Sequence, residues 1–237
     1  MNWKIWLLGD EADLEDLCKS FCSSEISILK EDDRYYMKGS LFDSIQEIDE
    51  LETKAIEVIA LLDGAARLGL NRRKPLGISH YSRNSAGGSE QELFVILQDT
   101  ITIRDSVSIK ITHNDGTEEE IHPGDSCLRW MLLSLQNEVI AKVLTLISLD
   151  DNSWVGLYRI FEVINADMDI VKSGWATKKS IERFKHTANH PEAAGKESRH
   201  GHSKAAPPQH PMSISEARQL IHFIVQNWLN EKANENS

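Results

Sequence analysis

Arg199 and His200 stand side by side in the run Gly195-Lys196-Glu197-Ser198-Arg199-His200-Gly201-His202. An Arg presents a planar fork of donors that matches two phosphate oxygens at once. A His takes or gives a proton near neutral pH, and Gly201 lets backbone approach a ligand closely. These residue types suit metal-free phosphodiester chemistry: His200 or His202 as general acid or base, Arg199 and Lys196 stabilising charge that develops on phosphate oxygens. They equally suit a basic turn between helices in which Arg199 pairs with a carboxylate and both His face solvent.

Glu162 is the carboxylate to consider as that partner. It sits in Leu157-Tyr158-Arg159-Ile160-Phe161-Glu162-Val163-Ile164, where apolar neighbours on most sides predict partial burial and a need for a cation. Arg199 can supply it; so can Arg159 one helical turn away, and exposure at the edge of the stripe removes the need. His186 and His190 are four residues apart and project from one face if a helix continues through them. With His200 and His202 they make four imidazoles, yet Pro191 disturbs the helix at His190 and no Cys or carboxylate completes a recognisable ligand set. No metal and no cofactor is therefore expected. Arg218 and His222 share one side of the last helix, and His222 joins the site only if that helix packs beside the Arg199 turn. The candidate catalytic residues are thus Arg199, His200, His202 and Glu162, and the candidate phosphate or RNA contacts are Lys185, Lys196, Arg199 and His222.

Charge singles out the same region. Residues 172–204 carry eight Lys and Arg against three Glu, a net +5, whereas the remainder of this 237-residue chain sums to −16. A net charge of −11 excludes a surface that binds nucleic acid all over, so any such contact is local to the basic island, and six of the nine His fall in or just after it, between His186 and His222. Cys18, Cys22 and Cys127 form no CxxC pair; they read as free thiols in a reducing cytoplasm, with Cys18 and Cys22 on one helix face. The apolar start, Trp3 to Leu8, is too short for a signal core, and Leu128 to Leu149 is interrupted by Arg129, Glu138 and Lys142, so a soluble chain is expected.

The elements that must position these residues fall into two groups, predicting an α+β fold. Residues 1–123 mix strands and helices and are expected to bind or sense a partner; residues 124–237 read as an all-helical domain carrying the basic turn. In the first group, strands are expected at Trp3 to Leu8, Ile26 to Leu29 and Tyr35 to Met37, followed by a long amphipathic helix over Asp43 to Leu68 whose apolar residues recur at helical spacing. Further β-branched runs at Ile78 to Tyr81, Leu93 to Leu97, Ile101 to Ile103 and Val107 to Ile111 predict more strands. Asn114-Asp115-Gly116-Thr117 predicts a tight hairpin returning through Glu118 to Ile121. Ser82 to Gln91 reads as an exposed loop. In the second group, Asp125 or Ser126 starts a helix to about Leu149, Asn152 or Ser153 starts the next, and Ser173 to Thr177 a third. Ser213 with Glu216 forms a capping box for a fourth, with a polar, frayed tail from Asn230. Trp154, Trp175 and Trp228 are expected in the helical core.

The helical half resembles the HEPN superfamily, on Glu162 in an early helix, the His200-Gly201 end of the basic turn, and the Pro-rich loop into Ser213-Ile214-Ser215-Glu216-Ala217-Arg218. The resemblance covers about residues 125–232. It implies a small helical domain of a bacterial protein, and many members are metal-independent ribonucleases in toxin and phage-defence systems. The catalytic HEPN pattern sets an Arg four to six residues before its His. Here Arg199 adjoins His200, and Arg218 and His222 have three residues between them. The expected function is phosphate or RNA binding, with metal-independent RNA cleavage as one version. A noncatalytic interaction module is the alternative, pairing as a homodimer or docking an acidic protein on the basic turn.

Overall fold

Trp3, Ile5 and Leu7 alternate with Lys4, Trp6 and Leu8, and this period of two places the segment at the centre of a sheet. In the computed structural model, which describes residues 3–71, 74–84, 90–94, 109–112, 118–122 and 124–235, the chain is α+β and divides into two compact units, 1–135 and 136–237.

The first unit is built on β1 (Trp3–Leu8). It pairs antiparallel with β3 (Arg34–Lys38) on one side and β4 (Gly77–Asn84) on the other; β2 (Ser27–Glu31) and β5 (Glu90–Phe94) complete the order β2-β3-β1-β4-β5. Ile5 faces Met37, and Trp6 lies between Tyr36 and His80. The Asp32-Asp33 turn joining β2 to β3 has positive φ at both positions, the tight-hairpin conformation that Asp tolerates. Helix α1 (Glu11–Ser20) is capped by Asp10 and contacts β2. After a single turn, α2 (Ser40–Asp43), comes α3 (Ile48–Gly69), with Leu51, Ala55, Val58, Leu62 and Ala65 fully buried. A two-stranded ladder pairs β6 (Ile109–Thr112) with β7 (Glu118–Ile121).

Helix α4 (Gly124–Ser134) closes this unit by packing on α1 and α3. Gly124 permits the close approach, since a Cβ there would come within 2.6 Å of the Ser20 hydroxyl and 2.8 Å of the Asp16 carbonyl. The thiol of Cys127 lies buried, donating to the Ala65 carbonyl at 3.4 Å.

Several expectations change. The helix predicted from Asp125 to Leu149 is two helices: Asn137 caps α5 (Glu138–Asp150) by accepting from Val139 and Ile140, so the apolar stripe crosses a break. The two compact units divide between Leu135 and Gln136, next to this break. The long helix starts at Ile48, not Asp43. Cys22 lies beyond α1, exposed and bridged to Ser27, so it shares no helix face with Cys18. Residues 82–84 and 90–91 of the expected loop are paired strand. The strand at Ile101 to Ile103, parts of those at Leu93 to Leu97 and Val107 to Ile111, and the Asn114 to Thr117 turn lie outside the described residues.

The second unit continues from α5 with α6 (Trp154–Asp167), capped by Ser153, and α7 (Lys178–Asn189), capped by Thr177. A short α8 (Pro191–Ala194) leads through a 3₁₀ turn, Gly195–Glu197, into the basic loop, and α9 (Ile214–Glu235) ends the described chain. Phe184 of α7 packs against Tyr158 and Phe161 of α6 with ring centroids 5.8 and 5.7 Å away. Trp154 and Trp228 are buried in this core, whereas Trp175 is half-buried. The tail is not frayed from Asn230: α9 runs on to Glu235, because Leu229 and Ala233 are buried and Lys232 pairs with Asp167 at 2.9 Å. Among the described residues no helix is long and apolar enough to cross a membrane.

Candidate functional site

Helix α7 decides where the basic loop lies. Its apolar residues Ile181, Phe184 and Ala188 face the core, and a second face carries Arg183, His186, Thr187 and His190 at helical spacing. That polar face binds the backbone of the returning loop. Arg183 donates from Nε to the His210 carbonyl at 2.9 Å and from Nη2 to the Pro211 carbonyl at 2.9 Å. Its two terminal nitrogens reach Glu216 at the start of α9, 3.1 and 3.3 Å away. The Thr187 hydroxyl accepts from the Met212 amide at 3.0 Å.

The two imidazoles complete the strap. His186 Nε2 lies 3.0 Å from the Ala206 carbonyl and His190 Nε2 2.9 Å from that of Ala205. His190 Nδ1 also accepts from the Glu192 amide at 3.3 Å, which assigns the proton to Nε2 as donor to Ala205. Helix α7 ends at Asn189 and His190 caps the next turn, so the pair does not project from one continuing helix. Each Nε2 is turned to a backbone carbonyl, and among the described residues no group of three or more His, Cys, Asp or Glu is placed to hold a metal.

Arg199 is fixed at the base of this loop. Its amide donates to the Ala188 carbonyl at 2.9 Å, and the Ser198 hydroxyl reaches the same carbonyl at 3.4 Å. Its guanidinium lies 4.3 Å from the centroid of the Tyr158 ring, and Nη2 donates to Glu162 Oε1 at 3.0 Å. Of the expected mates for Glu162, Arg199 is the one engaged. The pair is not buried, however: the Arg199 side chain is 36 % exposed and that of Glu162 47 %. Glu162 is on the outward side of α6, where Ile160, Phe161 and Ile164 take the core positions.

The remaining candidates spread out from there. Lys196, His200 and His202 are exposed on the turn and loop flanking Arg199. Lys185 is exposed on α7, its ammonium 5.8 Å from the Phe161 ring centroid. His222 is held elsewhere: its Nε2 lies 3.1 Å from Asp151 Oδ2, and Arg218 holds the same oxygen from Nη2 at 2.8 Å and Nε at 3.1 Å. Asp151 is fully buried just after α5, so His222 packs against the buried Asp151–Arg218 ion pair that ties α9 to the α5–α6 corner.

Three residues that matter were missed from sequence. Asp151 carried the faint signal of an acidic pair at a helix end, with Arg218 and His222 four apart on a later helix. Arg183 and Tyr158 carried none, because their partners lie far along the chain: two backbone carbonyls and Glu216 for Arg183, the Arg199 guanidinium for Tyr158. Glu216 is held below the ordinary carboxyl value chiefly by the Ser213 amide, then by Arg183, which keeps the start of α9 charged and anchored to α7. Comparison with known proteins gave no matching family model, curated protein or solved structure.

Proposed function

We propose that residues 136–237 form a HEPN-like helical domain of a cytoplasmic bacterial protein, one that binds phosphate-bearing ligands, RNA first among them, through Arg199 and its neighbours. The α+β unit then acts as the sensing or partner-binding part. The observation that carries this reading is the state of Arg199. Its guanidinium lies over the Tyr158 ring, 4.3 Å from the centroid, its backbone is fixed, and its charge is met by one exposed carboxylate at 3.0 Å. An exposed ion pair of this kind contributes about 0–1 kcal/mol, so a phosphate offering a bidentate match competes for the fork at little cost. Lys196, His200, His202 and Lys185 add exposed cationic or titratable groups along the same stretch. The +5 island in an otherwise acidic chain concentrates positive potential where a polyanion docks.

In the cleaving version, suited to a toxin or phage-defence setting, the 2′-oxygen of RNA attacks the adjacent phosphorus and the 5′-oxygen leaves. His200 or His202 takes the hydroxyl proton, a protonated His returns one to the leaving oxygen, and Arg199 stabilises the charged phosphoryl oxygens. The second reading, a protein-interaction module, is favoured by Leu149 and Phe223, which are 75 % and 54 % exposed. It makes the domain a homodimer or a dock for an acidic protein.

Binding of a fluorescent single-stranded RNA, titrated against salt, separates the readings. Phosphate contact predicts a signal that weakens as salt rises and weakens further in Arg199→Ala. No binding at low salt would overturn the proposal in favour of the interaction module. For the cleaving version, any cleavage seen with chelator present has to fall in Arg199→Ala and His200→Ala; unchanged cleavage removes it.

A further inference from the structure

Glu162 is an odd neighbour for a site that takes only phosphate. For a phosphate, the exposed carboxylate 3.0 Å from the guanidinium is only a weak competitor for the fork and adds nothing to recognition. It is well suited, in contrast, to accept hydrogen bonds from a ligand that brings its own donors. Its Oε1 accepts from Arg199 Nη2, and among the described residues Oε2 has no hydrogen bond. Beside it, the Arg199 guanidinium lies over the Tyr158 ring, 4.3 Å from its centroid, while the Arg199 side chain keeps over a third of its surface open. An exposed guanidinium lying over an aromatic ring is a surface on which a nucleobase can stack.

We infer, resting on the RNA-binding reading above, that the Tyr158–Arg199–Glu162 cluster is a nucleobase site that selects an unpaired guanine in single-stranded RNA. Guanine is the standard base with two adjacent N–H donors on its Watson–Crick edge, N1–H and the 2-amino group, and a carboxylate accepts from both. Uracil offers one donor flanked by acceptors, and cytosine and adenine offer one amino group beside an acceptor nitrogen. A duplex hides that edge in base pairing and leaves no face to stack, so the ligand is single-stranded. The platform is preorganised. Ser198 and Arg199 are bonded to the Ala188 carbonyl, and the loop beyond them is strapped to α7 by His186, His190 and Arg183. Little ordering therefore remains to oppose binding.

The test uses the full chain and short single-stranded RNA probes: oligouridine carrying one guanosine, one inosine (which lacks the 2-amino group) or uridine at the centre, and a duplex of the same length. The guanosine probe is expected to bind about tenfold more tightly than the uridine probe, a modest value for a bidentate base contact. The inosine probe should lose most of that difference. Glu162→Gln keeps an acceptor for Arg199 but offers guanine an amide, so it should abolish the guanosine preference while salt-dependent binding persists or strengthens. Arg199→Lys keeps the charge and removes the plane, so it should flatten the preference without flattening the salt dependence. Equal affinity for all three single-stranded probes, or a guanosine preference untouched by Glu162→Gln, overturns the nucleobase site and leaves RNA binding standing. Failure of every probe to bind at low salt overturns the RNA reading itself, and this inference with it.

Discussion

Replacing Asp151 with Ala should unfold the second unit more readily than any change at the exposed basic turn. Asp151 is fully buried, and a single oxygen, Oδ2, meets Arg218 Nη2 at 2.8 Å, Arg218 Nε at 3.1 Å and His222 Nε2 at 3.1 Å. Removing one partner of a buried pair leaves the other charge without compensation, which costs about 3–5 kcal/mol. Arg218 retains 19 % exposure, so water regains part of its guanidinium and the expected cost sits at the lower end, about 3 kcal/mol. For a unit of this size that lowers Tm by on the order of 15 °C. Thermal unfolding followed by circular dichroism gives the total, and amide hydrogen exchange should show the added opening in α5, α6 and α9. A triple replacement, Asp151→Leu with Arg218→Met and His222→Leu, removes all three polar groups together. It should recover most of the lost stability, because a buried ion cluster and an apolar cluster of similar volume are often nearly equivalent. A cost below about 1 kcal/mol for Asp151→Ala is the size of a surface ion pair and would overturn the role assigned to the buried cluster.

The same unit yields two further outcomes. Gly156→Ala puts a Cβ into the Asp150 carbonyl oxygen, so α6 has to move off the end of α5; we expect a loss of about 3 kcal/mol or more, against less than about 0.5 for Gly201→Ala, which has nothing within 4 Å. Equal urea midpoints for the two variants would contradict this. The second outcome concerns pH. Burial opposes ionisation of Asp167, but the Trp228 indole N–H at 2.8 Å and the Lys232 ammonium at 2.9 Å bring its carboxyl below the ordinary 3.8. A folded value below the unfolded one means that this stability is present above pH 3.8 and lost as pH falls through the folded value. For Lys232, burial pulls the other way but Asp167 and Glu235 hold the ammonium above 10.5, so its share is complete below that pH and lost as pH rises through the folded value. Urea midpoints measured against pH should fall less steeply below pH 3.8 in Asp167→Asn than in the unchanged protein; identical acid limbs would count against the assignment.

Local signals were legible because their physics is local. Ser213 and Glu216 exchange backbone bonds as a capping box, Glu216 Oε2 accepting from the Ser213 amide at 2.7 Å and Ser213 Oγ from the Glu216 amide at 3.2 Å. Ser153 and Thr177 cap the helices expected of them, and the 3.6-residue stripe of α3 is buried along its length. The break at Asn137 was hidden because apolar residues on both sides keep helical spacing across it. One side chain accepting from two amides ends that continuity, and periodicity alone does not register it.

For the candidate site, the sequence by itself determined which residue types were available and that they cluster late in the chain. It offered Arg199 as one mate for Glu162, with Arg159 or simple exposure as alternatives that charge and spacing leave open. Tertiary structure alone decided which His are occupied. His186 and His190 bind carbonyls of Ala206 and Ala205, a partnership invisible in sequence because every residue offers the same backbone acceptor. It also decided that His222 belongs with Asp151, 71 positions away in the numbering, and that the Arg199–Glu162 pair lies at the surface on Tyr158. Charge and spacing constrain what a residue can do within its own turn of helix; which surface it meets across a loop depends on packing, where the apolar faces of α6, α7 and α9 set the geometry.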